Sequence, residues 1–292
     1  MYPGSFEYHV PASMQEALEL MQAYGDDAKV MSGGHSLIPL MKMRLSQPAH
    51  LIDMSRMPEL KGIRIAEGRI EIGAFTTHRQ VETSELLRER LPLLNELAAV
   101  IADPQVRNRG TIGGSVCHAD PGADFPAAMM ALDAEMLCVS KAGLRTVKAS
   151  EWFLGIMESA LAPDEILTTI RLPMQGTDVG HAYLKLPHQA SRFSVVGVAA
   201  LIGRDPDDTC ASARIGITGV GTTAFRARQV EAMLVGKPLT EEAILAASRF
   251  AAEGCNVQGD LATPIEQKAE LCRVMVGRAI AQAAMRSTKT SS

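Results

Sequence analysis

The stretch VMSGGHSLIPLMKMRL, Val30 to Leu45, places two adjacent glycines between a short β-branched run and a segment of helical character. A Gly-Gly pair permits positive φ and leaves no side chain between backbone and ligand, so successive N–H groups can converge on an anion. At a strand-to-helix turn such a nest suits a pyrophosphate, with the Ser32 and Ser36 hydroxyls as further donors. Gly-Gly turns also form with no ligand, and this stretch alone leaves both readings open. It contains neither G-x-G-x-x-G nor G-x-x-x-x-G-K-[ST].

Around this stretch the chain alternates short elements. Ser13-Met-Gln-Glu16 forms a capping box, and Met14, Ala17, Leu18 and Met21 behind it fall at helical spacing. Ala28 to Met31 and His50 to Ile52 are strand candidates. Gly62 to Gly73 alternates apolar and polar residues on either side of Glu67-Gly68, which predicts a hairpin. Leu91 to Ala102 reads as a helix, followed by a glycine-rich loop from Arg109 to Gly122 and a helix over Pro126 to Leu132. Strands near Glu135 to Val139 and Arg145 to Lys148 follow, then Glu165 to Leu172, closed by Pro173. Met174 to Gly180 has the composition of a linker. Beyond it, two strand-like runs, Ser194 to Ile202 and Ala211 to Val220, precede helices near Ala227 to Leu234, Thr240 to Ala252 and Pro264 to Ala284. That order predicts a separate α+β domain, ending in a polar tail from Arg286 that is expected to fray.

The second glycine segment, NRGTIGGSVCHADPGADFPAA from Asn108 to Ala128, again sets Gly-Gly beside small hydroxyl residues, and adds His118, Asp120 and Asp124. Two nests in one domain suit one elongated, doubly anionic ligand, and a dinucleotide fits. Asp124 precedes Phe125-Pro126 near a helix start, where a carboxylate also serves as a cap, so both roles stay open for it.

Composition narrows the function. The 292 residues are 47% hydrophobic and 21% charged, which is ordinary globular usage. A net charge of -4 leaves no basic excess for nucleic acid. There is no apolar run of about 18 residues and no signal-peptide layout, so the protein reads as cytoplasmic. The five cysteines are scattered without a Cys-x-x-Cys pair, and the seven histidines include no His-Glu-x-x-His. They read as reduced, mostly buried thiols, and no metal site is read on this chain.

The paired motifs MSGGHSLIPLMKMRL and IADPQVRNRGTIGGSVCHADPGADFPA resemble the FAD-binding medium subunit of the molybdenum hydroxylases, the carbon monoxide dehydrogenase and xanthine dehydrogenase family. The similarity continues through DEILTTIRLP and AYLKL. It implies an α+β fold: a two-part FAD-binding domain of the vanillyl-alcohol-oxidase (PCMH) type at 1–57 and 58–175, then a small α+β domain at 176–286. A tail at 287–292 closes the chain. The resemblance implies non-covalent FAD with its pyrophosphate between the two segments. Met31, Ser32, Gly33, Gly34, His35, Ser36 and Leu37 would contact it on one side, with Thr111, Ile112, Gly113, Gly114 and Ser115 on the other. Ile101 and Ala102 would pack near the flavin, His118 and Asp124 on its polar parts, and Leu167 and Lys185 would add further contacts.

The function implied is electron transfer within a heterotrimer, with a molybdenum-bearing large subunit that oxidises substrate and a small iron–sulfur subunit that relays electrons. On that reading this chain has no catalytic side chain, and the assembly is a dimer of heterotrimers. Some family members carry an extra iron–sulfur insertion, which the scattered cysteines here do not support. Two other readings compete. Self-contained flavin oxidases of the same broad fold attach FAD covalently through a Gly-Gly-His histidine, which would be His35, although the arginine usual before those glycines is replaced by Met31 and Ser32. A nucleotide-binding scaffold module is the non-enzyme alternative.

Overall fold

A computed structural model describes residues 2–176, 178–260 and 263–288. Three main sheets follow one another along the chain, with a two-stranded ribbon, Phe153–Gly155 against Glu158–Ser159, inside the span of the second. The first is parallel, with His50–Asp53 between Glu7–His9 and Ala28–Met31. The second is antiparallel, in the order Ile63–Ala66, Arg69–Gly73, Ile166–Pro173, Glu135–Ser140, Gly143–Lys148. The third is also antiparallel, in the order Gly180–Pro187, Ser194–Arg204, Cys210–Thr218, Phe225–Arg226.

Local chemistry explains much of this. Ser13 Oγ accepts from the Glu16 amide and starts helix Met14–Tyr24, but the Glu16 carboxylate accepts from Ala12 N rather than closing the box on Ser13. In the Gly62–Gly73 hairpin, Glu67 and Gly68 take φ of 50° and 70°, the two positive values a tight primed turn requires. Glu71 on the inner strand receives Arg64 at 2.7 Å and Arg171 at 2.8 Å, so one buried carboxylate ties together three neighbouring strands.

The long strand Ser194–Arg204 is buried along nearly its whole length because it divides two cores. Ala199 and Leu201 face the core of the first two sheets, whereas Val196, Val198, Ala200 and Ile202 face a second core beneath helix Ile265–Arg286. A strand covered on both faces reads as a continuous apolar run, as this one does. Helix Phe125–Ala131, buried throughout, lies against the third sheet. Gly216 permits this contact, since a Cβ there would stand 1.9 Å from the Ala127 carbonyl oxygen.

Several expectations need correction. The helix expected over Leu91 to Ala102 is Pro92–Ala99, and Ala102 leaves it with φ of 40°. The loop expected from Arg109 to Gly122 contains helix Ile112–His118, in spite of the low helix propensity of its two glycines. Thr111 caps it by accepting from Gly114 N at 3.1 Å, and the buried Trp152 donates to the Val116 carbonyl at 2.9 Å. Tertiary contact overrides propensity: Gly113 packs on Ala74, where a Cβ would lie 2.4 Å from the Ala74 carbonyl oxygen. Helices His78–Thr83, Glu85–Arg90 and Pro104–Arg109 and strand Gly180–Pro187 were not expected. Arg286 ends its helix paired to Glu96 at 2.8 Å, and Ser287 and Thr288 are hydrogen-bonded, whereas 289–292 lie outside the described residues.

Gly113→Ala should therefore lose about 1–3 kcal/mol from overpacking against Ala74. Gly114→Ala should lose less, because its Cβ meets just the Thr111 hydroxyl. Urea-unfolding midpoints of the two variants decide it, and equal losses would contradict the assigned packing.

Candidate functional site

A cleft of about 730 Å³ runs between the first two sheets and reaches residues 191–193, the turn before strand Ser194–Arg204 of the third. Its size lies within the range typical of cofactor pockets, about 300–1,000 Å³. The first glycine segment forms one edge, at the turn from strand Ala28–Met31 to helix Leu37–Lys42. Gly34 has φ of 72°, a conformation that needs glycine. Gly33 is required for a different reason, since a Cβ there would stand 2.2 Å from the Arg109 carbonyl oxygen and 2.8 Å from Gly110 Cα. It brings the two segments into backbone contact, and Ser32 Oγ bonds Thr111 Oγ1 across the seam at 2.7 Å.

The two segments differ in what they offer a ligand. In the second, Ile112 N donates to Thr76 O at 3.0 Å, Gly113 N to Ala74 O at 2.8 Å, and Gly114 N and Ser115 N to Thr111. Its amides are committed to the protein. In the first, the amides of residues 32–37 donate to no protein acceptor among the described residues. The expected pair of nests is thus one open nest and one capped helix start.

Of the expected contact residues, Met31, Ser32, Gly33, Gly34, His35, Ser36 and Leu37 line the cleft together with Ile101, Ala102, Thr111, Gly113, Gly114, Ser115, His118, Asp124 and Leu167. Ile112 and Lys185 do not reach its wall: Ile112 is buried in the core, and Lys185 stands behind Asp124. His35 is exposed and its Nδ1 lies 3.0 Å from the Gly33 carbonyl oxygen.

Asp124 occupies the N-cap position of helix Phe125–Ala131, yet its carboxylate caps nothing. It accepts from Tyr183 Oη at 2.5 Å, Ser194 Oγ at 2.9 Å and Lys185 Nζ at 3.0 Å, all from the third sheet. Burial lifts its carboxyl above the usual range, opposed by the Lys185 ammonium and the two hydroxyls.

Sequence reading missed other parts of the wall. His78 is buried there beside Gly110, its Nδ1 has no hydrogen-bond partner, and burial depresses its pKa to about 4. Ser191, Arg192 and Phe193 come from the turn before Ser194–Arg204, where Arg192 donates to the Ala102 carbonyl at 3.0 Å. No local pattern marks these residues, since the fold alone brings them to the cleft.

Lys185→Met would leave the buried Asp124 unpaired, at a cost of about 3–5 kcal/mol. Because burial then raises the folded-state pKa further, the penalty grows as pH rises through the unfolded value of about 3.9 and is relieved below it. Stability curves at neutral and acidic pH should show the larger deficit at neutral pH, and a deficit independent of pH would contradict the pairing.

An open nest with unbonded amides, apolar walls from Phe75, Ile101 and Leu167, and the unpartnered His78 suit a long ligand with a diphosphate and a flat ring system. Comparison with known proteins agrees. Residues 4–175 match the FAD binding domain in molybdopterin dehydrogenase, and residues 181–283 match the CO dehydrogenase flavoprotein C-terminal domain. The carbon monoxide dehydrogenase medium chain of Hydrogenophaga pseudoflava is 42% identical over 280 residues, 96% of this chain and 97% of that one. The 6-hydroxypseudooxynicotine dehydrogenase complex subunit alpha of Paenarthrobacter nicotinovorans is 37% identical over 99% of this chain and 98% of its own. The structure of Hydrogenophaga pseudoflava carbon monoxide dehydrogenase lacking the Mo-pyranopterin moiety of its cofactor superposes with a TM-score of 0.95 at 43% identity, over 99% of this chain and 100% of that one. The chain belongs to the family of FAD-binding medium subunits of the molybdenum hydroxylases, an oxidoreductase component.

Proposed function

We propose that this chain holds FAD non-covalently and passes electrons from an iron–sulfur subunit to an external acceptor, within a cytoplasmic dimer of heterotrimers whose large subunit carries molybdenum. The observation that carries the reading is the row of unbonded amides at 32–37, at the edge of a cleft lined by parts of the first two sheets and by the turn before strand Ser194–Arg204. These amides, with the Ser32 and Ser36 hydroxyls, would hold the diphosphate. Met31, His35 and Leu37 flank that grip, and Thr111, Gly113, Gly114 and Ser115 form its opposite edge, with Ile112 anchoring them from the core.

When bound, FAD supplies a store of two electrons that can be filled and emptied singly. The protein's own residues position it. Ile101, Ala102, Phe75 and Leu167 would exclude water from the ring, His118 and Asp124 would face its polar parts, and Lys185 would act through Asp124. His78, held neutral by burial, would offer Nδ1 as a hydrogen-bonding atom without adding charge. The exposed His35 ring hydrogen-bonds its own loop, which favours non-covalent attachment over a bond through this residue.

Purification of the chain from its source cell under native conditions should recover two further subunits with molybdenum and iron, and the chain on its own should not oxidise substrates of such enzymes. Acid precipitation of the complex should leave FAD in the supernatant. A lone polypeptide that oxidises a substrate unaided, with flavin pelleting alongside it, would favour the self-contained oxidase.

A further inference from the structure

Glu7 and His9 lie on the same face of the first strand, and the parallel register places His50 of the central strand directly across from Glu7. Their polar atoms converge. His9 Nε2 lies 3.1 Å from His50 Nδ1, His50 Nδ1 3.5 Å from a Glu7 carboxylate oxygen, and that oxygen 3.9 Å from His9 Nε2. None of the three lines the cleft.

Metal–ligand bonds of about 2.0–2.1 Å in a tetrahedron imply edges of about 3.3–3.4 Å between ligand atoms. The two shorter edges here bracket that value. The longest involves Glu7, whose side chain is 71% exposed and free to close in, while His9 and His50 are 19% and 17% exposed. The His50 ring is held by the Tyr24 ring, stacked on it at 3.6 Å and 9°, and Tyr24 also stacks on His9 at 5.2 Å. A hydrogen bond between the imidazoles accounts for one edge of the triangle. A cation accounts for all three.

We propose that Glu7, His9 and His50 form a site for a divalent transition-metal ion of the zinc class, with solvent in the fourth position. Two imidazoles and one carboxylate are the borderline donors that such ions select, in preference to calcium or magnesium. Binding needs both facing nitrogens free, so the ring that donates in the imidazole–imidazole hydrogen bond carries its proton on its far nitrogen instead, and both rings ligate as neutral tautomers. The ion would cross-link the first strand to the central strand of the parallel sheet, close to the end of helix Met14–Tyr24. The site was not legible in the sequence because its ligands sit on strands 41 residues apart, with no motif between them.

The test is titration of the chelator-treated full chain with Zn2+ by calorimetry, followed by X-ray absorption at the zinc edge. One tightly bound ion per chain with nitrogen and oxygen donors, including imidazole scattering, is expected. Both His9→Gln/His50→Gln and the exposed-site variant Glu7→Gln should weaken binding, the double variant by more than the roughly 10- to 100-fold that loss of a supporting partner costs. Zn2+ should raise the melting temperature of the parent chain but not of the double variant. Equal uptake by parent and folded variants, sulfur donors in the absorption spectrum, or no uptake by the parent would each overturn the site.

Discussion

The methylene of Gly33 lies against the carbonyl of Arg109, with no space for even one methyl group between them. That contact, sealed by the Ser32–Thr111 hydroxyl bond, fixes where the first and second parts of the chain meet. It also decides which backbone remains available. With the second segment pressed against Ala74 and Thr76, its amides close on the protein, and the turn at 32–37 keeps its donors for a ligand. One segment keeps open donors while the other supplies the surface that sets it in place.

The C-terminal part completes the cleft through packing. A doubly buried strand and a wholly buried helix share the interior between the sheets. Thr218 Oγ1 donates to the Pro121 carbonyl at 2.7 Å, and Ser194 N to the Gly122 carbonyl at 2.9 Å, so the loop carrying Asp120 and Asp124 is stitched to the third sheet. The Asp124–Lys185 pair lies at this seam. A buried pair of this kind adds little net stability but penalises any arrangement that parts it, which suits a cleft-lining loop that must stay seated on the sheet behind it.

Elements with strong local signals were legible in the sequence: the Ser13 cap, the Glu67-Gly68 turn, the strand before Gly33 and the apolar run from Ser194. The two glycine pairs looked alike, but their contacts separate them. Gly34 adopts a glycine conformation at an open nest, whereas Gly113 is a point of helix packing, a distinction set by Ala74 some 40 residues earlier and invisible in composition. His78 and Phe193 reach the cleft through tertiary structure alone. Lys185 could be singled out only through family resemblance, because its burial depends on pairing with a carboxylate 61 residues away.

The division of labour between the two segments is most directly measured by amide hydrogen exchange on the full chain, with and without FAD. Residues 112–115, bonded within the protein, should be protected in both states. Residues 32–37 should exchange freely without FAD and slow markedly when it is bound, as open donors become bonded to the diphosphate. Fast exchange across 32–37 in the FAD-bound protein, or new protection confined to 112–115, would contradict it.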